Sequence, residues 1–176
     1  MLSMRLNLLL IPLLLAVHPI QLPAQNAQRL PGTWKLLTAS SFSAAGDTNR
    51  APYGPAPNGF VTYTADQRVA VIITHSDRKP LSVVDRAGAP AAERADAFAT
   101  LIAYAGRYRL SGDSVIHHVE AGSVQNWVGT DLVRRVSFRG DQLVLRSPPT
   151  ALAGQVRTYE LVWERVGPAV GRPAGQ

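Results

Sequence analysis

Leu132-Val133-Arg134-Arg135-Val136-Ser137-Phe138-Arg139-Gly140-Asp141-Gln142-Leu143-Val144-Leu145-Arg146 reads as strand, turn, strand. Leu132, Val136 and Phe138 recur with period two, the pattern of a half-buried strand, and Arg134 falls in their row. Arg139-Gly140-Asp141 supplies a tight connection before Gln142–Arg146. A charge in an apolar inward row is costly unless it is paired or used. Arg134 therefore has two readings: a cation for an acidic ligand, or half of an internal ion pair with Glu120.

The same grammar extends outward. Arg107–Leu110 and Ser114–Ala121 are joined by Ser111-Gly112-Asp113, and Gly59–Thr64 and Arg68–His75 by Ala65-Asp66-Gln67. A first strand alternates Trp34, Leu36 and Thr38 with Lys35, Leu37 and Ala39, and a last one runs from Gln155 to about Val166. Gly46–Asn58 is too rich in Pro and Gly for a helix or an interior strand. Asp77–Pro90 and Ser147–Gly154 are irregular. Ala91–Ala105 is the single helix expected, with Ala95, Phe98, Leu101, Ile102 and Ala105 on one face and Gly106 as its stop. The fold class is all-β: an antiparallel up-and-down eight-stranded barrel with one short helix. A two-sheet sandwich would use the same strands, and periodicity does not separate the two; the short hairpin links favour the barrel.

The remaining bounds come from composition. The chain has 176 residues, 46% hydrophobic and 17% charged, enough apolar material for one packed domain. It has no cysteine, so disulfides, Cys-ligated zinc, iron–sulfur clusters and Cys nucleophiles are excluded, and so is an acylated-Cys anchor. The net charge of +6 invites an anionic partner, but the arginines are scattered and no basic run occurs, so no nucleic acid is expected. Arg5 followed by the apolar run Leu6–Val17 reads as a signal peptide over residues 1–24, with cleavage near Ala24 or Ala27. The run is shorter than a membrane span. The expected organisation is that leader, a barrel over residues 31–166 and a disordered tail over 167–176, in an exported protein, periplasmic or secreted, without an integral membrane span in its mature form. A monomer or weak dimer is expected.

Gly32-Thr33-Trp34 opens the first strand and Leu161-Val162-Trp163-Glu164-Arg165 ends the last. This pairing resembles the lipocalin and calycin arrangement, which implies that Arg165 packs across Trp34 as a structural plug. Between them, Asn58–Asp66, Tyr104–Tyr108, Val115–Val119, Asn126–Gly129 and Gly140–Leu145 follow the order of the lipocalin-like domain family. The chain resembles that family from about Pro31 to Val166. It departs at Gln67-Arg68, where the family usually has a turn glycine. The resemblance implies a fold more than an activity.

Candidate ligand-binding residues are Tyr63, His75, Tyr108, His118, Trp127, Arg134 and Tyr159. The tyrosines and Trp127 offer apolar walls with polar tips. His117 and His118 point to opposite faces, and alternation does not decide between them; the family resemblance favours His118 facing the cavity. No spaced His motif, nucleophile elbow, phosphate loop or dinucleotide fingerprint occurs, so neither a metal nor a cofactor is expected. Three functions follow in order: binding of a small apolar or amphipathic ligand in the cavity; a cofactor-independent isomerase or cyclase using His118 and a tyrosine; and surface interaction with an anionic envelope component.

Overall fold

A meander of antiparallel hairpins rolls up until its first and last strands meet. The computed structural model describes residues 27–152 and 154–167. The leader reading and nearly all of the tail reading lie outside these residues. The strands are β1 (Gly32–Ser43), β2 (Thr48–Asn49), β3 (Asn58–Tyr63), β4 (Arg68–Thr74), β5 (Leu101–Ser111), β6 (Ser114–Gly122), β7 (Asp131–Arg139), β8 (Gln142–Arg146), β9 (Thr150–Leu152) and β10 (Gln155–Arg165). One helix, α1 (Ala91–Ala99), and a 3-10 turn, Gln125–Trp127, interrupt them.

The sheet order is β2-β1-β3-β4-β5-β6-β7-β8-β10-β9, and β1 also pairs with β10. Eight strands therefore form a closed wall, with β2 and β9 as short additions to β1 and β10. Closure excludes the sandwich. Because the chain runs up and down, its connections alternate between the two ends. Tight links β3–β4, β5–β6 and β7–β8 gather at one end; the long links 44–57, 75–100, 123–130 and 147–154 gather at the other.

The tight end is plugged. Trp34 and Arg165 are directly paired across the β1–β10 seam. The guanidinium lies 4.1 Å from the Trp34 ring centroid. It also donates to the Pro31 carbonyl at 2.7 Å and to the Arg29 carbonyl. The Trp34 indole N–H donates to the Leu30 carbonyl at 2.9 Å. Gly32 makes room for this cation: its φ is +134°, and a Cβ there would lie 2.3 Å from an Arg165 nitrogen. Trp34, Trp163, Tyr63, Leu30, Leu143 and Val61 are all at most 1% exposed. Each such burial stabilises the fold by about 1.5–3 kcal/mol.

Two bulges reset the alternation. One in β1 between Leu36 and Thr38 turns Ala39 and Ser41 inward and Thr38 outward. The other, between β5 and β6, leaves Glu120 unpaired, with Gly106 opposite Val119. The helix is shorter than periodicity suggests. It ends at Ala99, none of its residues is buried, and Leu101–Ala105 belong to β5. Ala-rich sequence has high helix propensity, yet seven consecutive pairs with β4, from Thr74↔Leu101 to Arg68↔Arg107, outweigh it. Gly106 is accordingly no helix stop. It sits mid-strand, where a Cβ would lie 1.9 Å from the His118 carbonyl oxygen.

These backbone constraints have opposite signatures. Gly106→Ala should destabilise the protein by at least about 2 kcal/mol, because the clash is with backbone. Gln67 holds φ of +64° in the β3–β4 turn. Gln67→Gly should relieve that left-handed strain and stabilise by about 0.5–1 kcal/mol. Urea denaturation of the two variants measures both.

Candidate functional site

The long connections rim a cavity of about 510 Å³ inside the barrel. Tyr53, His75, Phe98 and Trp127 line it from three of these connections, and Tyr104, His117, Arg134, Leu161 and Trp163 from the strands. Among the described residues, Arg134 is the only charged residue of the lining, which contains no Asp or Glu.

His117 is the polar centre. It is 1% exposed, and its Nε2 and Nδ1 each lie 2.9 Å from a tyrosine hydroxyl, Tyr63 and Tyr104 respectively. Burial first, and the nearby Arg134 charge second, pull this imidazole down from 6.5 to about 3, so it is neutral at pH 7. A neutral imidazole has one N–H and one lone pair. Tyr63 is wholly buried, and its hydroxyl has no partner but His117 among the described residues. If Tyr63 only accepted, its own O–H would be a buried orphan costing about 1–3 kcal/mol. Hydrogen-bond economy therefore has Tyr63 donate to Nε2 and Nδ1–H donate to Tyr104. The Tyr104 proton is then left over, on a residue that lines the cavity. Burial raises both tyrosines above their usual range, which keeps these hydroxyls protonated.

The outcome for each expected residue is specific. His75, Trp127, Arg134 and Tyr159 line the cavity. Tyr159 stacks on Tyr53 at 6.2 Å and 5°, and Trp127 stands edge-on to Tyr104 at 6.1 Å. Tyr63 stands behind His117, outside the lining. Tyr108 is also outside it; it packs edge-on against Tyr63 at 5.0 Å and donates to the Thr64 carbonyl at 3.0 Å. His118 faces the wrong way for the role expected of it: it is exposed on the outer surface and bonded to Asp131 at 2.9 Å. Its row includes Glu120, which prefers water, whereas His117 shares the buried row of Val115 and Val119. Glu120 is not the partner of Arg134 either. It is held outside by Arg68 at 2.7 Å and Arg107 at 3.2 Å.

Besides His117, the aromatic residues Tyr53, Tyr104 and Trp163 line the cavity from outside the expected set. Tyr53 lies in the Pro/Gly-rich link, Tyr104 in the stretch expected to be helical, and Trp163 in the terminal motif taken as structural. The Trp163 indole nitrogen is buried without a hydrogen-bond partner among the described residues.

The sequence profile described as a lipocalin-like domain matches residues 31–166. The chain belongs to the lipocalin-like domain family. A solved structure titled as a lipocalin-like protein from Bacteroides uniformis is 13% identical, with 78% of this chain and 99% of that one covered and a TM-score of 0.42. No curated protein matches the sequence. Among the described residues of this lipocalin-like barrel, no helix is long and apolar enough to cross a membrane.

The His117 environment predicts a pH dependence. In the unfolded chain the imidazole takes a proton below about 6.5, in the folded barrel only below about 3. Its contribution to stability is complete above the first value and is lost as pH falls towards the second, by up to about 1.4 kcal/mol per pH unit. Urea denaturation between pH 7 and 4.5 should show this fall, and His117→Gln should flatten it. An unchanged slope in that variant would assign the effect elsewhere.

Proposed function

We propose that this lipocalin-like protein binds one small apolar or amphipathic molecule inside its barrel. The observation that carries this reading is the cavity itself, about 510 Å³ with walls of Val, Ile, Leu, Trp and Tyr and few polar groups. That volume and composition suit a ligand of modest size held by apolar burial and oriented by a few polar contacts. The leader reading of residues 1–24 adds that the ligand is met outside the cytoplasm.

Binding is favoured over the two other functions. An acid–base isomerase needs groups that titrate near the working pH. His117 and its two tyrosines are displaced away from neutrality, and His118 is outside the barrel. A role on an anionic surface needs free outward cations. Of the outward strand arginines, Arg68, Arg107, Arg109, Arg135 and Arg139 are each bonded to a carboxylate.

N-phenyl-1-naphthylamine, a neutral apolar fluorophore, tests this reading. It should bind saturably at one site per chain and quench tryptophan emission, since Trp127 and Trp163 line the cavity. Ala99 is exposed at the end of α1 and also lines the cavity, so Ala99→Trp should obstruct the opening. It should weaken probe binding while changing stability by less than about 0.5 kcal/mol. Absence of saturable binding to the parent protein would overturn the reading.

A further inference from the structure

Arg134 is a cation turned into the barrel. It is half-buried in the inward row of β7 with Leu132, Val136 and Phe138. Among the described residues no carboxylate lies within salt-bridge distance of it, and its guanidinium donates only to the carbonyl of its neighbour Val133, at 2.7 Å. The contrast with the five outward arginines bonded to carboxylates, Arg68, Arg107, Arg109, Arg135 and Arg139, is sharp. Removing a cation from water without a counter-charge is unfavourable, so such a placement calls for an occupant that brings one.

Two more donors share the cavity lining with it. The Tyr104 hydroxyl proton is left over from the chain Tyr63–His117–Tyr104. Trp163 is 1% exposed, and its indole N–H is buried with no acceptor among the described residues. An indole can only donate. Among the described residues, the cavity wall thus includes one cation and two residues with an unspent neutral donor, and no Asp or Glu. The field of Arg134 reaches the other groups there: it disfavours a proton on His117 and favours negative charge at Tyr53, Tyr63 and Tyr104.

We propose that the ligand is an apolar carboxylic acid, bound as its anion with the carboxylate inside the barrel against Arg134 and the hydrocarbon body along the apolar wall. The planar guanidinium matches a carboxylate in a two-pronged contact. The Tyr104 hydroxyl and the Trp163 N–H serve as neutral donors to ligand oxygens. The proposal deepens the binding reading above and rests on it.

The test displaces bound N-phenyl-1-naphthylamine at pH 8 with decanoate or with 1-decanol, which have the same chain length and differ in charge. Decanoate should displace the probe at concentrations at least tenfold below those of 1-decanol. Arg134→Gln should erase that preference, read as the ratio of the two displacing concentrations in the same variant, and Arg134→Lys should keep part of it. Trp163→Phe should weaken decanoate severalfold relative to 1-decanol. Arg134→Gln should also melt no lower than the parent in the absence of ligand, since it removes an uncompensated charge; a merely structural arginine would lower the melting temperature. Equal displacement by the two compounds, or a preference that survives in Arg134→Gln, overturns the carboxylate assignment and leaves the cavity reading standing. Failure of the parent protein to bind the probe at all removes the reading beneath it.

Discussion

Everything inside this barrel depends on the seam where β1 meets β10. An up-and-down meander has two free edges until its ends pair, and only closure removes them. The seam is held at both extremes by arginines of β10. At the tight end Arg165 lies over Trp34 and bonds the carbonyls that lead into β1. Towards the long links Arg157 donates to the Ser41 hydroxyl at 2.9 Å, the Ser41 carbonyl at 3.2 Å and Asp47 at 2.9 Å. Gly32 and the bulge near Leu37 let β1 follow this path without pushing a side chain into the plug.

Closure at one end decides where a ligand can enter. The tight hairpins and the plug fill one end, so the remaining space opens between the long connections, which supply much of the cavity rim. Those connections add aromatic rings rather than charges. The strands add the polar chain Tyr63–His117–Tyr104, a neutral assembly satisfied inside except for one proton. Against that background Arg134 and the Trp163 N–H, which among the described residues have no carboxylate and no acceptor respectively, are costs borne by the fold, and sites of this kind commonly give up stability for recognition.

The strand–turn–strand pattern of residues 132–146 was legible because alternation and turn chemistry agree there. The same holds for Arg68–Thr74 and its turn, whereas the Trp34–Arg165 plug was implied by the family resemblance. What misled has physical causes. Residues 101–105 carry an Ala-rich helical pattern but are claimed by pairing with β4, which placed Tyr104 in the wrong element. A bulge is a local shift of register with no compositional mark, so Thr38 and Ala39 exchanged faces unseen. His117 and His118 were separable in principle: Val115 and Val119 flank the first, and Glu120 belongs to the row of the second. Tyr53 sits in a Pro/Gly-rich link where no periodicity exists to place a side chain. The inward position of Arg134, by contrast, follows directly from the row it shares with Leu132, Val136 and Phe138.

The most direct test of the account is a crystal structure of the protein grown with decanoate. The account predicts the alkyl chain inside the barrel and the carboxylate oxygens at hydrogen-bond distance, about 2.7–2.9 Å, from the Arg134 guanidinium. A decanoate lying with its carboxylate out at the mouth in water and its tail against Arg134, or a cavity left empty at saturating decanoate, would contradict it.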